Sequence, residues 1–192
     1  MGSLPLELER ALIEASNTLL KVGARWVLVG STASYLNGLN VKPKDIDIIV
    51  EADKIYRVDE VFASEFLPIR RVKYSSNGIY SSHYGVFKVY NVKIEVMADL
   101  TICREYGCLK VEFEDLYSYS KNTKIRENVV KIAPLEWQLV ANIMIPGKTE
   151  RVKIILNALK TRGIDIEVLN NVLKHAPVKA RKQAIELIQK YR

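Results

Sequence analysis

The stretch "WVLVGSTASYLNGLNVKPKDIDIIVE", Trp26 to Glu51, decides how the fold is read. It starts with an aliphatic run too short for a helix and breaks at Gly30-Ser31. It ends in DIDIIV, a strand-like segment that carries Asp45 and Asp47. Residues i and i+2 of a strand point to one face, so the two aspartates share a face while Ile46 and Ile48 turn to the other, toward a core. Charges on an otherwise apolar strand are costly to bury without a partner. Two carboxylates a few ångströms apart repel each other and raise one pKa unless a cation lies between them. A hard divalent ion meets that need, and magnesium is usually held by one or two carboxylates plus substrate phosphates.

Gly30-Ser31 stands at a strand-to-helix junction, where free backbone N–H groups and the helix dipole attract phosphate. Glycine lets the backbone approach an anion closely, and Ser31 adds a hydroxyl and a cap for the short helix that follows. A third acid is then expected on a neighbouring strand. In "KIEVMAD" Glu95 lies between Ile94 and Val96 and faces away from both. Asp99, four residues further on, is the reserve candidate, and His83 in "SSHYG" lies one strand earlier.

Outward from this segment the pattern is mixed. Residues 5–22 place Leu8, Leu12, Ala15, Leu19 and Leu20 at helical intervals and stop at Gly23. Residues 54–66 form a second helix, with Ile55, Val58, Val61 and Phe62 on one stripe. Strands are expected at 68–74, 83–90 and 92–100, the last two joined by a tight turn at Asn91, and again at 108–113 and 128–133. From Pro134 four helical stretches follow, divided by Pro146-Gly147, Gly163 and Pro177. The fold class is therefore α+β: a mixed β-sheet core packed with helices over residues 1–120, then a basic, mainly helical region over 121–192.

Composition narrows the function. The 192 residues are 48% hydrophobic and 27% charged, as in a folded globular protein. The opening "MGSLPLELERALIEA" has acids where an export signal has bases, Leu6 breaks the myristoylation pattern, and no apolar run is long enough for a bilayer. The expectation is a cytoplasmic protein without membrane attachment. Residues 1–120 hold 14 Lys+Arg and 16 Asp+Glu, while residues 121–192 hold 15 and 6. That basic final third suits a polyanion such as RNA, and equally a solvated lysine-rich face. Many Lys, Arg, Glu and Ile with only three glutamines lean toward a thermophile. Cys103, Cys108, His83 and His175 have no zinc-site spacing, and two reduced thiols are expected.

Val29-Gly30-Ser31, Asp45-Ile46-Asp47 and Ile94-Glu95-Val96 occur in the order and spacing of the DNA polymerase beta-like nucleotidyltransferase superfamily, which this chain resembles over about residues 24–100. The resemblance implies a magnesium-dependent enzyme that moves a nucleoside monophosphate from an NTP such as ATP to an acceptor hydroxyl and releases pyrophosphate. It implies Asp45, Asp47 and Glu95 as catalytic and metal-binding residues for two Mg2+ ions, with Mn2+ as a substitute. Gly30, Ser31, Lys44, Lys148 and Arg151 would bind the NTP phosphates, with Lys42 and Lys153 as nearby alternatives. The acceptor could be an RNA 3′ end, a protein side chain or a small molecule such as an antibiotic, and a toxin of a toxin–antitoxin pair fits the pattern. A non-catalytic nucleotide- or RNA-binding member, such as an antitoxin-like partner, is the alternative, and pairing with a partner protein or a second copy is compatible with either. Tyr74, Tyr80, Tyr84, Tyr90, Tyr117 and Tyr119 offer stacking surfaces among which the sequence does not choose.

Overall fold

The computed structural model describes residues 4–191. Helix α1 (Leu6–Val22) buries Leu8, Ala11, Leu12, Ala15 and Leu19 and ends at Gly23, whose φ of 67° is the left-handed conformation that closes helices. Leu20, expected on the buried stripe, is instead 78% exposed. At about 100° per residue it has turned past the edge of the apolar face. The chain then runs through β1 (Trp26–Val29), α2 (Gly30–Leu36) and β2 (Asp45–Val50). A short 3-10 turn leads to α3 (Ile55–Glu65).

Next come β3 (Leu67–Ser76), β4 (Tyr80–Val89), β5 (Val92–Arg104) and β6 (Gly107–Lys110). Helix α4 (Phe113–Tyr119) follows, then β7 (Lys121–Ile125) and β8 (Asn128–Ile132). The chain ends in α5 (Leu135–Met144), α6 (Thr149–Arg162), α7 (Ile166–His175) and α8 (Val178–Tyr191). Asp165 caps α7 by accepting hydrogen bonds from the backbone N–H groups of Glu167 and Val168.

The strands form one mixed sheet in the order β3-β4-β5-β2-β1-β8-β7, with β6 paired to the far end of β5. The β2–β5 and β1–β8 pairs are parallel, and the others are antiparallel. Helices α1 and α3 cover one face, where Leu12, Leu28, Ile46, Ile48, Phe62, Phe87 and Ile94 share an apolar cluster. Helices α5 to α8 cover part of the other, packing with Val27, Val29, Ile49, Leu100 and Ile102. The observed α+β architecture, a mixed sheet with helices and a C-terminal helical group, is the expected one.

Four local differences have physical causes. Strand β7 and helix α4 were not anticipated: Lys121–Ile125 is a largely exposed polar edge strand, and α4 buries only Leu116. Because β7 and β8 join the sheet, the helical part starts at Leu135, beyond the division expected at 120/121. Strand β5 runs on to Arg104 and folds back into β6, which sets Cys103 opposite Cys108. Those cysteines form a disulfide with Cα atoms 4.0 Å apart, which corrects the expectation of two reduced thiols. The β5–β6 hairpin is what sets the two side chains face to face. Finally, Asp99 adopts φ 53° where the β4–β5 register shifts, so the face presented by β5 switches at that point.

One polar anchor escaped the sequence pattern. Asp59 on α3 is buried and accepts hydrogen bonds from the Val72 backbone N–H at 2.7 Å and Arg71 Nε at 2.9 Å. Replacing Asp59 by Ala leaves a buried N–H without a partner. The expected cost is about 2 kcal/mol, readable as a lowered urea midpoint with unchanged slope.

Candidate active site

The sheet brings the sequence motifs into one row. Val29 lies opposite Asp47, Asp47 beside Glu95, Glu95 opposite Val86, and Val86 opposite Arg70. Directly paired residues share a face, and adjacent strands stand about 4.8 Å apart. Asp47 and Glu95 are therefore side by side on the face that bears Asp45, and they line a cleft of about 740 Å³. Gly30, Ser31, Lys42, Lys44, Lys148 and Arg151 also line it. All eight candidate residues, Asp45, Asp47, Glu95, Gly30, Ser31, Lys44, Lys148 and Arg151, thus converge on a single cleft.

Gly30 has φ 66°, which disfavours any side chain, and an added Cβ would come 1.9 Å from Asp47 Oδ2. The Asp47 carboxylate thus packs against the bare Cα of Gly30, with the Ser31 backbone N–H near enough to favour its charge. The Ser31 hydroxyl donates to Asp45 Oδ1 at 3.2 Å. Thr32 Oγ1 donates to the Asp45 carbonyl at 2.6 Å, tying the start of α2 to the start of β2. Burial, reinforced by the charges of Asp45 and Glu95, pushes the Asp47 carboxyl up to about 8, against the pull of Lys148 and the Ser31 N–H.

The C-terminal helices supply the cations at this end. Lys148 stands immediately before α6, and Arg151 follows in its first turn. Arg151 Nη1 donates to Ser34 Oγ at 3.2 Å, and that hydroxyl is also within 2.9 Å of the Gly30 carbonyl oxygen. Gln138 completes the contact: its Oε1 meets Ser34 while its Nε2 donates to the Ala133 carbonyl at 2.9 Å. Burial draws the Arg151 guanidinium below its ordinary value, and Asp45 and Asp47 oppose that shift.

Several cleft residues lacked a sequence signal. Alternation assigns Arg70 and Arg71 to opposite faces without saying which faces the cleft. Helix α5 is buried nearly all round, so periodicity does not single out Trp137 or Gln138. Among the six tyrosines, Tyr80 and Tyr84 line the cleft. Tyr74 and Tyr90 are exposed, Tyr117 stacks on Phe113, and Tyr119 donates to Glu167. Burial and the neighbouring Asp47 and Glu95 raise both cleft phenols. Neither Asp99 nor His83 lines the cleft. The β5 irregularity leaves Asp99 exposed, with its Oδ2 3.9 Å from His83 Nε2, while His83 Nδ1 is 2.9 Å from the Tyr56 hydroxyl.

The donor chemistry fits a hard divalent cation: carboxylate oxygens only, mutually repelling, with one carboxyl pushed toward its protonated form. Among the described residues, no three His, Cys, Asp or Glu side chains are gathered at metal-holding separation in the protein alone. Asp45 and Asp47, aligned on one strand, are the pair best placed to begin such a site.

No family model and no curated protein sequence matches the chain. Its structure does have counterparts. TM1012 of Thermotoga maritima, classed as a nucleotidyltransferase, is 26% identical, with a TM-score of 0.66 over 83% of this chain and 96% of its own. ANT(2″)-Ia, solved with adenylyl-2″-tobramycin, is 9% identical with a TM-score of 0.53, covering 96% of this chain and 98% of its own. The lincosamide antibiotic adenylyltransferase LnuA, solved with lincomycin, is 15% identical with a TM-score of 0.52, covering 83% and 99%. The chain therefore has a nucleotidyltransferase-like fold. The more distant two establish the shared fold alone.

Proposed function

We propose that the chain is a magnesium-dependent nucleotidyltransferase that moves a nucleoside monophosphate from an NTP such as ATP to an acceptor hydroxyl. The carrying observation is the pairing of Asp47 with Glu95 across β2 and β5, in a cleft that also holds Gly30, Ser31, Lys148 and Arg151. Gly30 and Ser31 would bind the β- and γ-phosphates, with Lys44, Lys148 and Arg151 countering their charge. Asp45 and Asp47, joined by Glu95, would hold magnesium, which when bound supplies charge stabilisation for attacking and leaving oxygens. Glu95 accepts the hydroxyl proton, the acceptor oxygen bonds to the α-phosphorus, and the α–β bridging bond breaks to release pyrophosphate.

Among the described residues no helix is long and apolar enough to cross a membrane. The cytoplasm is where an NTP-consuming enzyme finds its donor. A disulfide there is rare except in hyperthermophiles, which agrees with the thermophile-like composition. The basic residues after 120 favour an RNA 3′ end among the acceptors, and a toxin that modifies RNA is one form this activity could take.

The test is incubation with α-labelled NTPs, magnesium and RNA, protein or small hydroxyl acceptors. Wild type should transfer label, and the Asp45→Ala/Asp47→Ala double variant should not. Label transfer that is absent, or the same in both proteins, overturns the enzyme. The spread of the three carboxylates favours a non-catalytic nucleotide-binding module as the second reading. Calorimetry separates the two: nucleotide binding that needs magnesium and is lost in Glu95→Ala belongs to an active site, while binding indifferent to both belongs to the module. For Arg151→Met, the KM for NTP should rise about tenfold with a smaller change in kcat, because a phosphate-facing charge is lost.

A further inference from the structure

One cleft side chain has no part in donor binding or metal binding. Arg70 on β3 is two strands beyond Glu95 in the row Arg70–Val86–Glu95–Asp47, about 10 Å along the sheet. It therefore enters the cleft from the side opposite Gly30, Lys148 and Arg151. Its guanidinium carbon sits 5.1 Å from the centroid of the Tyr84 ring, and Tyr84 in turn lies close enough to Glu95 for that carboxylate to raise its phenol. Among the described residues, no ion pair is formed by Arg70, and its buried Nε has no hydrogen-bond partner. The adjacent Arg71, by contrast, pairs with Asp59 at 2.6 Å. An arginine kept for packing alone satisfies its buried donors, whereas a buried donor without a partner calls for an explanation.

We propose that Arg70 forms an anion subsite for the acceptor, which carries a phosphate or carboxylate group close to the hydroxyl that receives the nucleotide. Contact with the Tyr84 face orients the guanidinium while leaving its N–H donors for a ligand, and the planar fork matches both oxyanions. The donor phosphates are already provided for at the opposite end of the cleft. The acids lining the cleft are Asp45, Asp47 and Glu95, all on the metal side, so the wall near Arg70 offers a cationic acceptor only neutral groups such as Ser75, Asn77 and Ser82. Tyr84 links the two functions, since it stacks with the arginine and neighbours the carboxylate that would take the acceptor's proton.

This subsite rests on the nucleotidyltransferase reading, and its test separates the two. The protein is saturated with a non-hydrolysable ATP analogue and magnesium, which fills the donor end, and is then titrated with glycerol 3-phosphate, glycerate or glycerol by ligand-observed NMR. Wild type should bind at least one of the two anions and bind glycerol much more weakly; which anion is preferred distinguishes a phosphate-bearing from a carboxylate-bearing acceptor. Arg70→Gln should weaken anion binding by about tenfold or more, and Arg70→Lys should fall between because it keeps the charge without the fork. Analogue affinity and thermal midpoint should hold in both variants. If the analogue binds but the anions bind wild type and Arg70→Gln alike, or bind neither, the Arg70 subsite is wrong while the enzyme stands. If the analogue itself fails to bind, both fall together.

Discussion

Asp47→Asn is expected to abolish nucleotidyl transfer and, in EDTA above pH 8, to raise thermal stability. The activity loss should be about a thousandfold or more, the scale of several kcal/mol of charge stabilisation at the reacting phosphate. The stability gain follows from the Asp47 carboxyl, whose folded-state pKa is raised from 3.8 to about 8. Between those values the folded protein keeps a proton that the unfolded chain has released. Stability without metal therefore falls as pH rises from about 4 to about 8, and the full penalty persists above that. Asn carries no such charge. Because Asp47 retains partial solvent access, the gain is set at about 2 kcal/mol, or roughly 5 °C at this chain length, and it should vanish near pH 4. Melting curves at pH 4 and pH 8.5, with and without magnesium, read both effects. Magnesium should raise the midpoint of wild type and leave Asp47→Asn nearly unmoved. A variant that keeps activity, or melts lower than wild type at pH 8.5 in EDTA, contradicts this account of the site.

Gly30→Ala should be the most damaging change that alters no charged or hydrogen-bonding side chain. At φ 66° an alanine is strained by about 1 kcal/mol, and its Cβ would lie 1.9 Å from Asp47 Oδ2, so the carboxylate has to move. A displacement of about 1 Å at a reacting centre costs roughly a hundredfold in rate. The expected result is a fall of that size in kcat, a lowered melting temperature and an unchanged far-ultraviolet spectrum. Ser31→Ala, which removes only a 3.2 Å hydrogen bond to Asp45, should lose far less. A Gly30→Ala protein with more than half of wild-type turnover would show that the packing of Asp47 on Gly30 does not matter.

Much of this site was legible in one dimension because its parts obey short-range rules. The i, i+2 spacing of Asp45 and Asp47 sets their common face wherever the strand lies, and the Gly30-Ser31 break marks the start of α2. Glu95 needed one further step, a parallel partnership between β2 and β5, and its alternation with Ile94 and Val96 placed it on the right face once that partnership formed. Asp99 shows where alternation stops working. A single residue at φ 53° shifts the register, so the next acid along the same strand leaves the cleft for His83.

The chain's local order of apolar and polar residues therefore determined the α+β class, the aspartate pair and the Gly30-Ser31 turn, since each depends on neighbours a few positions away. Tertiary structure alone decided that Arg151, more than a hundred residues downstream, meets Ser34 on the helix that Gly30 opens, and that Lys148 lines the same cleft. It also decided that Arg70 rather than Arg71 faces the cleft, and that Cys103 meets Cys108. Those outcomes depend on strand register and helix packing, in which burial of Ile46, Phe62 and Leu139 selects the arrangement and the polar side chains are carried with it.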